Sequence, residues 1–102
     1  MYNTVITFEF EQLLKKEKLK VIDVRELEEV REGHIKGMIH MPLSEFGKHL
    51  DKLDKHKAYY VICRSGARSS QAAKFLAEQG FNVTNVMGGM SVYKGELSYD
   101  VW

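Results

Sequence analysis

Five consecutive apolar or aromatic residues, Ala58-Tyr59-Tyr60-Val61-Ile62, run without a polar break into Cys63. A strand this apolar on both faces has to be covered on both faces, and the arrangement that does so is a mostly parallel sheet with helices above and below it. The rest of the chain supplies the matching parts. Leu19 to Val24, Met38 to Met41 and Phe81 to Met87 read as further strands, the second of them stopped by Pro42, which cannot donate to a ladder. Between them lie helical patterns. Phe10, Leu13 and Leu14 share one face and run into Lys15, Lys16 and Lys18, which suit the negative end of a helix. Glu26 to Glu32 predicts a short helix closed by Gly33, and Ser44 is placed to cap a helix presenting Phe46, Leu50 and Leu53. Ser69 to Gln79 predicts the clearest helix, with Ala72, Phe75 and Leu76 on one side and Gly80 as its stop, and a last short helix is expected near Met90 to Tyr93. Strands alternating with helices give an α/β domain.

With 102 residues, 44% of them hydrophobic and 28% charged, the chain has the size and balance of one globular domain, expected to span 1–102. Lysine and arginine number 15 against 14 acidic residues, so a net charge of +1 gives no general attraction for nucleic acid or an anionic membrane. The N-terminal residues lack the pattern of a signal peptide, and Ala58 to Cys63 is far too short to span a bilayer, which leaves the cytoplasm as the expected address. A single cysteine excludes an internal disulfide framework, and one thiol with four scattered histidines makes no metal site. No cofactor is expected, because no Gly-x-Gly-x-x-Gly or Walker pattern occurs.

In open α/β sheets ligands bind beyond the carboxyl ends of the strands. Two strands here end in reactive chemistry: Asp23 to Arg25 follows one, and Cys63-Arg64-Ser65-Gly66-Ala67-Arg68-Ser69 joins the most apolar strand to the strongest helix. The first turn of a helix has unpaired N–H groups and a partial positive charge, and Gly66 lets the backbone curl so that those groups converge on the cysteine sulfur. Such a cradle favours the thiolate and any anionic adduct built on it. Arg64 and Arg68 add positive charge where an anionic donor would approach, with ordinary surface charge as the second reading for Arg64. A cysteine that merely finishes a buried strand would need neither the glycine nor the arginines.

At these residues the sequence resembles the rhodanese family of single-domain sulfurtransferases. The resemblance rests on Asp23-Val24-Arg25-Glu26, on Gly33-His34-Ile35-Lys36-Gly37 followed by His40-Met41-Pro42, on the loop from Cys63 to Ser69, on Gly80-Phe81 and on Gly88-Gly89. It implies a rhodanese-like fold, a five-stranded parallel central sheet flanked by helices on both sides. It also implies that Cys63 forms a persulfide within a six-residue loop, Cys63 to Arg68, accepting sulfur from thiosulfate or a persulfide and passing it to a thiol, a protein or cyanide. Cysteine phosphatases use a loop one residue longer, Cys-x5-Arg, wide enough for a phosphate. The tighter loop here favours a single sulfur, and the absence of a second cysteine disfavours a thiol reductase. The alternatives left open are a non-enzymatic regulatory module on the same fold and a sulfur-relay carrier.

Asp23 ends an otherwise apolar strand, so its carboxylate is expected to be paired, with Arg68 or loop N–H groups, in a positioning role. Arg25 is expected to cap or brace the neighbouring loop, or else to be solvated. His34 and His40 belong to a turn-rich structural connection rather than to catalysis, and His49 and His56 are expected to be exposed.

Overall fold

In the computed structural model, residues 1–100 are described. The element order is β1 (Asn3–Ile6), α1 (Thr7–Lys16), β2 (Val21–Asp23), α2 (Leu27–Arg31), β3 (Ile39–His40), a 3-10 segment (Leu43–Lys52), β4 (Ala58–Ile62), α3 (Ala67–Glu78), β5 (Asn82–Met87) and a 3-10 turn (Gly89–Val92). The five strands form one sheet in the order β1-β5-β4-β2-β3, and every neighbouring pair is parallel. The apolar run Ala58–Ile62 lies at the centre, hydrogen-bonded to β5 on one side and β2 on the other.

Strand alternation sorts the core into two layers. Tyr59, Val61 and Cys63 project to one face, where Ile22, Val24 and Val83 meet Ala72, Ala73 and Leu76 of α3 and Phe46 of the 3-10 segment. Ile62 projects to the other, against Phe10 of α1, Val21, Ile35 and Val86, with Tyr60 packed alongside. Cys63, the residue that follows β4, is therefore committed by register to the face that α3 covers.

Three sequence expectations differ from the structure. β1 carries no readable signal, because it is an edge strand in which only Val5 is even half-buried. The helix expected after Ser44 is a 3-10 run with a break at Glu45 (φ −129°), preceded by Pro42. Ser44 does not cap it: its hydroxyl donates to Glu26 Oε1 at 2.7 Å. Finally, α3 begins at Ala67, two residues before the expected Ser69, with Gly66 (φ +113°) as the residue that turns the chain into it. That early start matters, because it places Ala67, Arg68 and Ser69 in the first helical turn, where amides have no partner within the helix.

Candidate active site

β4 delivers Cys63 to the C-terminal edge of the sheet, and the following residues wrap around its sulfur. The Gly66 N–H donates to Sγ at 3.1 Å. Burial pushes the thiol pKa up, but the Ser69 hydroxyl and the amides of Ser69, Gly66 and Ser65 outweigh it, so that Cys63 sits below the ordinary thiol value. No part of Cys63 is open to solvent. Its amide partners enclose it.

A peptide plane that points its N–H inward must point the C=O of the preceding residue outward, and here each outward carbonyl of the loop is held. Met90 N–H donates to Cys63 O at 2.8 Å, Ser91 N–H to Arg64 O at 2.8 Å and Gly88 N–H to Ser65 O at 3.0 Å. Gly66 O accepts from Ser70 N–H at 3.0 Å and from Asn85 Nδ2 at 3.4 Å. The turn that follows β5 thus fixes the polarity of the loop. Gly89 (φ +56°) makes this possible: a methyl group there would fall onto Cys63 O and within 2.6 Å of Arg64 O. The buried Thr7 hydroxyl holds the same turn from behind, at 3.1 Å from Gly89 O and 3.2 Å from Met87 O.

The charged residues divide differently from the sequence expectation. Asp23 is buried, and its partner is Arg25 rather than Arg68: Nη2 lies 2.8 Å from Oδ2, Nε 3.0 Å from Oδ1, and the Arg25 amide also donates to Oδ1 at 3.0 Å. Two residues on the same strand end are nearer than anything across the crevice, which is why the local pair forms. Arg25 is 6% exposed, so its guanidinium is not a solvated charge, and it also donates to Gly33 O at 2.8 Å and Glu29 O at 3.3 Å. Arg68 makes a forked pair with Glu29 at 2.7 and 2.8 Å, tying α2 to the first turn of α3. Arg64 is exposed and takes part in no ion pair among the described residues, and it lines a cleft of about 330 Å³ together with Arg25, Glu29, Glu32 and Tyr93. Ser65 and Ala67 are exposed on the outside of the loop, while Gly66 and Ser69 are buried. His34 Nδ1 lies 2.9 Å from Val30 O and His40 Nε2 2.7 Å from Arg25 O, both in structural contacts. His56 is exposed and His49 half-buried. Among the described residues no cluster of histidine, cysteine and carboxylate could hold a metal ion.

Sequence reasoning missed Glu29, Thr7 and Asn85. A glycine pair directly after a strand was the one visible sign of a close backbone approach. For Glu29 there was no sign, since an acidic residue in the first turn of a helix is ordinary.

Glu29 gives an acid signature. The hydrogen bonds from Arg68 hold its pKa down at about 2 against an ordinary 4.5, working against burial and helped by the Glu26 amide and the charges of Arg68 and Arg25. A depressed carboxylate contributes stability that is present above the ordinary value and lost as pH falls from 4.5 toward 2. With the two side chains 24% and 33% exposed, solvent screening reduces the contribution to about 1 kcal/mol. Denaturant melts of Glu29→Gln should show that deficit near neutral pH and lose most of it near pH ~3. A deficit independent of pH would remove the ion pair as its source.

The rhodanese-like domain family matches residues 8–96. The Bacillus subtilis protein YtwF, whose name proposes a sulfurtransferase, is 46% identical over 86 residues, 84% of each chain. The thiosulfate sulfurtransferase GlpE of Coxiella burnetii is 33% identical over 95 residues, 92% of this chain and 89% of that one. A rhodanese-like domain protein from Staphylococcus aureus superposes with a TM-score of 0.89 at 29% identity, covering 97% of this chain and 99% of that one. With the fold, the loop and the relatives in agreement, this chain belongs to the rhodanese-like domain family.

Proposed function

We propose that the protein is a sulfurtransferase in which Cys63 carries sulfane sulfur as a persulfide. The observation that carries this reading is the convergence of loop amides on Sγ with their carbonyls bonded outward, an arrangement that stabilises negative charge at one sulfur without further reorganisation. The Cys63 thiolate attacks the outer sulfur of a donor such as thiosulfate. A new sulfur–sulfur bond forms, the donor's own sulfur–sulfur bond breaks, and sulfite departs with the electron pair. A thiolate, a protein thiol or cyanide then attacks the outer sulfur of the persulfide, and Cys63 is released as thiolate. Because the chain holds one cysteine, the acceptor belongs to another molecule. In this reading Arg64, exposed at the cleft, draws in the anionic donor, while Arg68, Asp23 and Arg25 hold the two strand ends that build the loop. A free thiolate of this kind fits a reducing compartment such as the cytoplasm.

The test is intact-mass measurement after incubation with thiosulfate and, separately, with a protein persulfide. A gain of one sulfur atom, located by peptide mapping to the Cys63 peptide and lost on adding cyanide or thiol, is the expected result. No adduct with any donor would overturn the reading. Fast single-turnover uptake from the protein persulfide beside slow turnover of thiosulfate would assign the relay form of the same chemistry.

A further inference from the structure

Ser69 has a side chain that the loop amides do not explain. Its hydroxyl is wholly buried and meets no partner at full hydrogen-bond geometry among the described residues, although it lies close enough to Cys63 to favour that sulfur's anion. Buried hydroxyls are almost always paired, and one left unpaired in the wall of a reactive centre calls for a reason. Ser69 is the third residue of α3, in the turn whose amides lack helical partners, and both its amide and its hydroxyl bear on Cys63. A neutral thiol is a poor acceptor, whereas a thiolate or persulfide anion is a strong one.

We propose that the Ser69 hydroxyl is a dedicated donor to the sulfur anion, idle against the Cys63 thiol and engaged once that sulfur, or the sulfur it has accepted, carries negative charge. The backbone amides would then supply the fixed part of the cradle, and Ser69 the part that responds to charge. The proposal deepens the sulfurtransferase reading, since the same bond would form against the thiolate and against the persulfide.

The test is Ser69→Ala, read two ways on protein that has seen no donor. The Cys63 pKa, followed by thiolate ultraviolet absorbance and by the pH profile of alkylation, should rise by about one unit, and alkylation below that pKa should slow about tenfold. The melting temperature, taken at a pH where Cys63 is protonated, should hold or rise, because the substitution removes a buried group that was unpaired. A lowered melting temperature with an unmoved pKa would make Ser69 a structural residue and overturn the proposal. If the alanine variant does not fold, Ser69→Thr keeps the hydroxyl: a pKa equal to that of the wild type supports the proposal, and one raised by a unit overturns it. Because these readings need no sulfur donor, they can succeed while persulfide formation fails, and the two ideas fall separately.

Discussion

Cys63→Ser is expected to take up no sulfur from any donor, with a fall in uptake of roughly three orders of magnitude or more. The reason lies in what the loop can and cannot do. Its amides and the Ser69 hydroxyl lower the pKa of a group that already titrates in the thiol range. They act by a few hydrogen bonds, and no such number of bonds brings an aliphatic hydroxyl to an appreciable anion fraction near neutral pH. The oxygen is also a poor partner for a sulfane sulfur. The variant should stay folded, because serine is close in size to cysteine and can accept the Gly66 N–H in place of Sγ. Intact mass after thiosulfate treatment checks it, and an adduct that persists in the variant would place the chemistry elsewhere on the chain.

Gly89→Ala should also be strongly damaging, although Gly89 lies behind the loop rather than in it. Its added methyl meets the carbonyl oxygens of Cys63 and Arg64, atoms held by the amides of Met90 and Ser91. Those carbonyls cannot move without turning the peptide planes whose other ends are the inward N–H groups. A cradle opened in this way should lose about 100-fold in single-turnover uptake, the scale seen when an oxyanion donor is removed. The Cys63 pKa should rise with it. Gly37→Ala separates steric overlap from backbone strain, because Gly37 also has positive φ (+81°) but, among the described residues, nothing within 4 Å of an added methyl. That control should take up sulfur at the wild-type rate. A folded Gly89→Ala protein matching it would show that the outward bonds do not set the geometry of the loop.

Much of this was legible in the chain. The apolar run ending at Cys63 announced a central parallel strand, and Gly66 before a strong amphipathic helix announced a curled loop. Both signals are local, written in residues that are neighbours in sequence. What stayed hidden was written between distant segments. The Asp23 carboxylate visibly required a partner and took Arg25, two residues on, while Arg68 was drawn across the crevice to α2. Glu29 looked like any first-turn acid until the fold set it opposite Arg68. β1 was invisible because its neighbour β5 supplies the ladder that makes it a strand, and its own side chains bury little. Ser44 misled through its type, since a serine before a hydrophobic run is a common cap, and here Pro42 and the Glu26 carboxylate drew it to another use.

Cys63 is part of the packed layer formed by Val61, Ala72, Ala73 and Leu76, so the floor beneath the sulfur is solid protein. An atom added to that sulfur has one direction in which to grow, away from the interior and toward the molecular surface. The interior thereby aims the cargo. Whatever collects it must come to one spot, at the N-terminal end of α3.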